Sequence, residues 1–290
     1  MDWNDYRLVL AVVREKTIRG AARSLGVNHA TISRRLSHLN RGTSGPLVQK
    51  SPQGFWPTRA GEAIVEAAEK MELNSQEALR KLRAVEQNLS GPLSISFPVL
   101  VLQHFLFDDV ANFAEQYPDI DLTIDSTDNL VDLDRAEADI VLRTSANPPE
   151  HWVGRRLFRY AVSLYAHRDY LAQTRTDDLT WIGAPEGATR WWLWLKETPY
   201  RNNPVGPTVA GISGRFGALK QHFGIGWAAC FMADPDPDLV RLPDAPVMKA
   251  DPFWLLTHPD FAKTSRARVA MKYFAEVMQS HRALIQGDLS

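Results

Sequence analysis

The segment AARSLGVNHATISRRL, residues 21–36, contains the most specific motif of the chain. Its first part completes a helical pattern over residues 18–25, and Gly26 suits the left-handed position that commonly ends a helix. Asn28 can cap a second helix over residues 29–39, because its side-chain oxygen can accept a backbone amide of the first turn. Two helices joined by a tight, glycine-containing turn predict a helix-turn-helix.

The flanking sequence extends this unit on both sides. Residues 4–15 carry apolar side chains at helical spacing and predict another helix before it. After it, two short apolar runs at residues 47–50 and 55–58 surround the turn residues 51–54, which read SPQG. This pattern predicts a β-hairpin, and a hairpin in this place is the wing of a winged helix-turn-helix.

A long helical pattern with one narrow stripe runs from residue 58 to residue 89. Small and apolar side chains recur at alternating spacings of four and three, a heptad pattern sustained for nearly four heptads. Gly61 near the start costs about 1 kcal/mol relative to alanine, which predicts a loose first turn. The stripe either packs on the rest of the same chain or joins two copies, and we favour a dimer. The predicted dimer-interface residues are Ile64, Ala68, Met71, Ala78, Leu82 and Val85.

Beyond Gly91-Pro92 the sequence alternates between strand and helix patterns. Strands separated by helices imply parallel sheets covered on both faces. We place the domain limits at 1–58 for the head, 59–90 for the linker helix and 91–290 for the body. The predicted strands are residues 93–97, 120–126, 139–144, 161–166, 180–183, 226–231 and 253–257, and the predicted helices are residues 98–117, 128–136, 168–173, 191–196, 215–222 and 265–282.

Charge is unevenly distributed along the 290 residues. The total of −1 argues at face value against a nucleic-acid partner, but residues 1–60 carry a net +7, residues 61–90 a net −2 and residues 91–290 a net −6. A small basic head on an acidic body points to a polyanion-binding module. The alternative is a chance excess on a solvated face. The apolar content of 44% excludes wholesale disorder.

Cysteine usage and the N-terminus bear on the cellular compartment. A single cysteine, Cys230, excludes an intramolecular disulfide, and its apolar neighbours favour a buried structural thiol over a redox sensor. Residues 1–5 lack the basic and apolar regions of a signal peptide, and the longest apolar stretch, residues 97–107, is too short to span a bilayer. We therefore expect a soluble cytoplasmic protein.

The head resembles the winged helix-turn-helix of the LysR-type transcriptional regulators. The similar segments are AARSLGV at residues 21–27 and TISRRL at residues 31–36, followed by the wing and TRAGE at residues 58–62. Weaker similarities continue in order through the body, so the resemblance covers essentially the whole chain. They lie at residues 91–93, 113–118, 138–143, 224–226 and 256–259.

The resemblance implies an α/β protein with a winged helix-turn-helix, a long linker helix and a two-subdomain, periplasmic-binding-protein-like (type II) effector domain. Subdomain I is expected at residues 92–161 plus 266–290, and subdomain II at residues 162–265. The linker helices are expected to pair antiparallel in a homodimer, which in such regulators often assembles further into a homotetramer. The implied partners are double-stranded promoter DNA, a small-molecule effector and RNA polymerase, with no membrane.

The second helix of the predicted helix-turn-helix would place its N-terminal residues in the major groove. Either Arg34 or Arg35 can donate a bidentate pair to guanine. The remaining candidates divide into the methyl groups of Ala30 and Thr31, which suit thymine, and the phosphate contacts Ser33, Arg23 and Lys50. His29 is a base contact, a phosphate contact or a solvated side chain, Gln53 enters the minor groove or is a polar turn residue, and Asn28 completes the predicted DNA-binding set.

The effector is expected in the cleft between the subdomains, near strand C-termini and helix N-termini. The predicted effector-binding residues are Phe97, Pro98, Val99, Thr127, Arg143, Thr144, Ser145, Gly183 and Ser213. Relatives that bind small carboxylates often carry Ser or Thr where this chain has Phe97-Pro98-Val99, so the cleft favours a less polar or aromatic effector or uses Arg143 alone for charge. Arg143 alternatively forms a salt bridge at the cleft edge. Trp181, Trp191, Trp192 and Trp194 line a pocket or, as their helical spacing favours, pack in the core.

Enzymatic alternatives find little support. Residues 224–229 (GIGWAA) approach a dinucleotide fingerprint, but the predicted helix precedes them where a strand is required. Arg215 stands where a nucleophile elbow needs glycine, and the eight histidines show no metal-ligand spacing with Cys230. The sequence thus predicts a sequence-specific DNA-binding transcriptional regulator that responds to a small molecule, with no catalytic residue, cofactor or metal. The alternatives are a ligand-independent DNA-binding protein and an α/β enzyme that uses the cleft.

Overall fold

The computed structural model describes residues 1–43, 45–85 and 88–288, and its internal contacts divide into two units, Met1–Leu82 and Arg83–Ser290. The first unit comprises the head, which is three helices followed by a hairpin, and most of the long linker helix. Its elements are α1 (Trp3–Glu15), α2 (Ile18–Ser24), α3 (His29–Gly42), β1 (Val48–Ser51), β2 (Gly54–Pro57) and α4 (Arg59–Val85).

Local capping explains why α2 and α3 begin and end where they do. The Thr17 hydroxyl accepts the Gly20 amide at 3.0 Å, and the Asn28 side chain accepts the Ala30 amide at 2.9 Å. Gly26 between the helices has a φ of +66°, a conformation that glycine adopts without a steric penalty. The predicted helix-turn-helix is therefore confirmed, including the residues that cap and end its helices.

The apolar faces of α1, α2 and α3 form the core of the head, to which β1 and the start of α4 also contribute. The wing is an antiparallel hairpin in which Val48 pairs with Pro57 and Ser51 with Gly54. Gly61, from which the sequence predicted a loose first turn, also has a packing role. A Cβ built there would lie 1.8 Å from the Leu47 carbonyl oxygen, so glycine lets α4 lie directly against the chain that enters the wing.

The second unit, the body, alternates strands and helices. Its strands are β3 (Gly91–Phe97), β4 (Ile120–Ser126), β5 (Ile140–Thr144), β6 (Val153–His167), β7 (Trp181–Gly183), β8 (Val205–Thr208), β9 (Gly226–Ala229), β10 (Leu239–Arg241) and β11 (Met248–Thr257). Its helices are α5 (Val99–Val101), α6 (Phe107–Gln116), α7 (Arg168–Gln173), α8 (Thr189–Lys196), α9 (Ile212–Lys220), α10 (Cys230–Ala233), α11 (Ser265–Ser280) and α12 (Arg282–Gln286). A π-helical segment, Leu102–Leu106, joins α5 to α6, and 3-10 turns lie at Thr176–Asp178 and Phe261–Lys263.

The main sheet is mixed, so the prediction of parallel sheets holds for β3 with β4 and β5 and is wrong for β11. Its strand order is β10-β6-β11-β5-β3-β4, with β9 also paired to β6. Strand β3 is parallel to β4 and β5, whereas β11 runs antiparallel to both β5 and β6. Strand direction depends on pairing with distant segments, and the alternation of strands and helices along the chain does not determine it.

Two of the buried apolar clusters that lie along this sheet border the larger cavity described below. One contains Leu93, Phe113 and Phe274, and the other contains Trp181, Trp191 and Trp227. The 15-residue strand β6 runs from the first region into the second. Residues 253–257 of β11 pair with β5, so the chain is already back among the strands of subdomain I before residue 266, where the sequence placed its return.

The predicted helix at residues 128–136 is also wrong, because this segment consists of bends and turns. The Asp132 carboxylate accepts the Asp134 amide, and the Glu137 carboxylate accepts the Asp132 amide. Such short-range bonds compete with helical ones, and Ala136 has a φ of +53°. Elsewhere in the described chain, no helix is both long and apolar enough to serve as a membrane span.

Candidate functional site

Helix α3 buries one face and exposes another. Ile32, Leu36 and Leu39 point into the core of the head. Between and beyond them lies the exposed face: His29, Ala30, Thr31, Ser33, Arg34, Arg35, His38 and Arg41. A helix presented in this way offers its N-terminal half to a major groove.

The two adjacent arginines of α3 are in different environments. The Arg35 Nε atom donates to Asp5 Oδ1 at 2.5 Å, and Arg35 Nη2 lies 3.3 Å from Asp2 Oδ2. Asp5 is only 1% exposed, and its hydrogen bond from Arg35 lowers the pKa of that carboxyl. Arg35 therefore ties α3 to the capping box that begins α1. Arg34 forms no ion pair among the described residues, and its side chain lies on the exposed face of α3.

A basic concavity of about 720 Å³ borders this face of α3. Its lining includes Arg7 of α1 together with Arg34, His38 and Arg41 of α3. The sequence interpretation missed Arg7, His38 and Arg41. The spacing of four and then three from Arg34 could have revealed the two on α3, since such residues share a helix face.

The other predicted DNA contacts divide between exposed and structural residues. Arg23, Lys50 and Gln53 are exposed, although Gln53 donates its amide to the Ser51 hydroxyl at 3.2 Å, as a polar turn residue does. The carboxamide oxygen of Asn28 is already used in capping α3. The ammonium of Lys16, at the end of α1, lies 3.6 Å from the centre of the Trp56 ring on the wing.

The stripe on α4 changes character along its length. Ala68 is fully buried and Ile64 packs against the core of the head, so both are held within their own chain. Met71 is 41% exposed and Leu82 is 67% exposed, and Ala78 is also exposed. The side chain of Val85 lies outside the described residues.

The body contains a cavity of about 1100 Å³. Five predicted effector-binding residues line it: Pro98, Thr127, Arg143, Thr144 and Ser145. The other four do not. Phe97 is buried against Phe274 at a ring separation of 5.2 Å, and Gly183 is buried in β7 beside β8. The backbone amide of Val99 donates to Asp128. Ser213 does not line the cavity, but the nearby residues Ile212 and Arg215 do.

Arg143 sits in this cavity without a carboxylate within ion-pair distance among the described residues. Its Nη2 donates to the Ser96 hydroxyl at 2.7 Å, and its Nη1 donates to the Leu142 carbonyl at 2.8 Å. Its Nε is buried without an acceptor. Burial lowers the pKa of the guanidinium, while Asp125 and Asp128 act at longer range in the opposite direction. The alternative of a cleft-edge salt bridge is therefore not what the structure contains.

Arg215 of α9 is a second buried cation in the cavity, and the sequence interpretation did not propose it as a ligand. Its Nη1 donates to the Val209 carbonyl at 3.3 Å, and its Nε has no acceptor. Burial again lowers the pKa. In contrast, Arg190 at the same cavity forms a double hydrogen bond with Asp251 at 3.0 and 3.1 Å.

Aromatic side chains form much of the cavity wall. They are Trp152, Tyr160, Trp191, Trp194, Trp227, Phe231 and Phe253. The indole N–H groups of Trp191 and Trp227 are buried without an acceptor. Of the tryptophans considered from sequence, Trp191 and Trp194 line the cavity, whereas Trp181 is a core residue whose indole donates to the Tyr200 carbonyl. Trp191 meets both alternatives, because it lines the cavity and also belongs to the core that contains Trp181.

A winged helix-turn-helix with a basic recognition face, followed in one chain by a receptor domain with a large cavity, defines the class of ligand-responsive DNA-binding regulators. Comparison with known families gives the same class. Residues 3–62 match the bacterial regulatory helix-turn-helix protein, lysR family, and residues 86–279 match the LysR substrate binding domain. The chain belongs to the LysR family of transcriptional regulators, and is a sequence-specific DNA-binding protein that responds to an effector.

Relatives match the chain over nearly its whole length. A probable HTH-type transcriptional regulator LtrA of Klebsiella pneumoniae is 23% identical, over 96% of each chain. The HTH-type transcriptional regulator CrgA of Neisseria meningitidis is 24% identical, over 91% of this chain and 93% of the relative. Full-length AphB, the Vibrio cholerae virulence activator, has the same fold with a TM-score of 0.58 and 19% identity, over 94% of this chain and 98% of AphB.

These relatives are named as transcriptional regulators, which confirms the prediction that the chain is not an enzyme. The order of elements around residues 224–229 agrees with this result. Helix α9 ends before this segment, and the segment itself contains β9. A dinucleotide fingerprint requires the opposite order, with a strand before the glycines and a helix after them.

Proposed function

We propose that this regulator is controlled by an organic carboxylate with an aromatic or apolar body, which binds in the cavity between subdomains I and II. One observation carries the proposal. The Nε atoms of Arg143 and Arg215 and the indole nitrogens of Trp191 and Trp227 are buried donors without an acceptor, and all four residues line this cavity. A buried donor left unpaired is costly, and a ligand rich in acceptors would satisfy these groups.

The balance of groups in the cavity supports an anion of this kind. No buried side-chain oxygen of the described body residues lacks a hydrogen-bond partner, so the unmet hydrogen-bonding capacity of these side chains is that of donors. Arginine presents parallel donors that match a carboxylate, and the aromatic walls suit an apolar or aromatic body. The sequence expectation of Arg143 alone is thereby extended to include Arg215.

The proposed mechanism is differential binding. Arg143 lies on β5 and Arg215 on α9, so an anion held by both would link the two subdomains. The ligand shifts the equilibrium between open and closed forms only by its difference in affinity for them. A change in subdomain closure would then alter the spacing of the heads across the oligomer.

Thermal-shift titration tests the effector class. We expect aromatic monocarboxylates to raise the melting temperature of the full chain, and their methyl esters or amides to do so far less. Arg143→Gln and Arg215→Gln should each weaken the response by about tenfold or more, the cost of a charged hydrogen bond. Arg190→Gln is the matched control, because Asp251 already satisfies Arg190. Equal responses to acids and esters would contradict the carboxylate assignment, and no response to any of these ligands would exclude this effector class.

For DNA, we propose that Arg34 is the leading base contact of α3. Ala30, Thr31, Ser33 and His29 would contribute from the same face, with Arg23, Lys50 and Gln53 at the backbone or minor groove, and Arg7, His38 and Arg41 added to this set. We assign Arg35 and Asn28 structural roles, because their polar groups are already bonded within the head.

For assembly, we propose that α4 pairs with its counterpart through Met71, Ala78, Leu82 and Val85. Ile64 and Ala68 belong to the head of their own chain. Such a dimer presents two heads to two half-sites, and dimers could associate further into tetramers. RNA polymerase as a partner and a cytoplasmic location follow from promoter binding and are proposed on that ground.

We retain the head at 1–58, the linker helix at 59–90 and the body at 91–290. Within the body, the strand pairing supports a revised division in which subdomain I takes residues 92–161 and about 253–290, and subdomain II takes residues 162–252.

A further inference from the structure

A cluster of two histidines and one aspartate lies in the body, apart from the effector cavity. His167, Asp169 and His222 each offer a ligand atom, and these atoms lie within 4.8 Å of one another. His167 Nδ1 is 3.8 Å from Asp169 Oδ2. The imidazole rings of His167 and His222 are 3.9 Å apart at their centres. The three groups come from the end of β6, the start of α7 and the residues after α9.

We propose that these three side chains bind a divalent transition-metal ion of the zinc type. Nitrogen and carboxylate ligands bind Zn²⁺ at about 2.0–2.2 Å, which places neighbouring ligand atoms of a tetrahedral ion about 3.4 Å apart. To reach that value, side-chain rotations must shorten the observed spacing of up to 4.8 Å by up to about 1.4 Å and must turn the two closely packed imidazole rings toward one point. Two imidazoles with one carboxylate suit zinc, cobalt or nickel better than calcium or magnesium, which prefer oxygen.

The conformation of His222 is the second observation. Helix α9 ends with the Phe223 amide bonded to the Ala218 carbonyl at 3.1 Å and the His222 amide bonded to the Leu219 carbonyl at 3.2 Å. His222 takes the left-handed position of this ending, with a φ of +60°. Glycine is the usual residue there, and a larger residue held in such a conformation suggests a functional constraint. A metal-binding imidazole is such a constraint.

The surroundings leave the cluster accessible and do not oppose a cation. Asp169 and His222 are exposed while His167 is buried, so one ligand is anchored and two face solvent. The adjacent cations are held elsewhere: Lys220 lies 2.8 Å from Asp236, and Arg168 donates to the Pro237 carbonyl. Binding through His167 Nδ1 would replace the hydrogen bond that this nitrogen accepts from the Asp169 backbone amide at 3.1 Å, whereas binding through Nε2 would leave that bond in place.

This site would restrain one wall of the effector cavity. Helix α9 carries Arg215 into that cavity and leads into His222 at its other end. An ion that joins His222 to His167 and Asp169 would fix the end of α9 against β6 and α7. The metal would therefore act within subdomain II, independently of any ligand in the cavity.

Titration of the untagged, chelator-treated full chain with Co²⁺ and Zn²⁺ tests this site. We expect one ion per chain by calorimetry, and a visible Co²⁺ absorption spectrum that Zn²⁺ displaces. Asp169→Asn and His222→Gly should each weaken binding by about 100-fold or more, since loss even of a supporting contact costs 10–100-fold.

The choice of His222→Gly separates lost ligation from lost folding. Glycine is favoured at this φ, so the variant should have an unchanged or higher melting temperature without metal. His281→Ala is the control, because its imidazole is bonded to Asp109 at 2.8 Å in a different part of the body. Undetectable binding to the wild-type chain, or equal binding by wild type and His222→Gly, would overturn the proposal.

Discussion

Arg34 and Arg35 show how neighbouring identical side chains acquire different roles. Successive residues of a helix point about 100° apart, so only one of the two can reach the start of α1. Arg35 does, and its partner Asp5 is 30 residues away in the chain. The distinction depends on tertiary structure, so the sequence alone could identify the pair but not divide its roles.

Replacing these arginines one at a time tests that division. Arg34→Ala should weaken binding to an operator fragment by about tenfold to hundredfold, the cost of a lost bidentate base contact. Arg35→Ala should affect affinity less and instead speed hydrogen exchange in α1 and α3, because it leaves the buried Asp5 without its partner. Fluorescence anisotropy at fixed salt and exchange mass spectrometry measure the two effects. The reverse pattern would assign base contact to Arg35.

The same ion pair makes a pH-dependent contribution to the stability of the head. Arg35 lowers the pKa of Asp5 in the folded state, so the contribution is present at neutral pH and is lost as the pH falls through that lowered pKa. The stability difference between wild type and Arg35→Ala should therefore be constant above about pH 5 and shrink below about pH 4. Thermal unfolding monitored by circular dichroism measures this difference. A difference that grows on acidification would contradict the assignment.

Among the helices and strands, features that depend on nearby residues were predicted well, and features that depend on distant residues were not. Caps and turn residues act within a few positions, so the sequence could place α2, α3 and the wing. The direction of β11 and the turns at residues 128–136 depend on partners or on competing side-chain bonds, and both were mispredicted. The cavity shows the same difference. The sequence identified Arg143 from its position at the end of a predicted strand, but it could not show that α9 brings Arg215 into the same cavity.

Gly61 offers a test at this scale, because helix propensity and packing predict opposite outcomes. Propensity alone predicts that Gly61→Ala stabilises α4 by about 1 kcal/mol. We expect destabilisation of about 1–3 kcal/mol or more, as for other overpacked sites, since the new methyl group would overlap the Leu47 carbonyl. Gly42→Ala is the control, because among the described residues nothing beyond its chain neighbours and its own helix backbone lies within 4 Å of its Cβ position. Denaturant unfolding should show Gly42→Ala neutral or stabilising. A stabilised Gly61→Ala would show that α4 can shift at little cost.

At the scale of the whole molecule, the near-neutral total charge is a cancellation. The basic residues concentrate in the DNA-binding head and the acidic residues in the receptor body, as the net charges of +7 and −6 indicate. The net charge of each region could therefore predict which part of the chain binds DNA. The sequence could not show which part of α4 would join two chains. The apolar stripe continues from the core of the head into exposed surface without a change in its spacing.

That exposed part of α4 carries the prediction for the oligomer. Burying a leucine or methionine side chain contributes about 1.5–3 kcal/mol, and Met71 and Leu82 are 41% and 67% exposed in the single chain. The double variant Met71→Asp with Leu82→Asp should sediment as a smaller species, and its affinity for a two-half-site operator should fall by about 100-fold or more as paired binding is lost. Leu130→Asp, at a body residue that is 99% exposed, is the control and should assemble normally. If the double variant sediments like the wild type, α4 does not form the interface, and the two heads must be joined through the body.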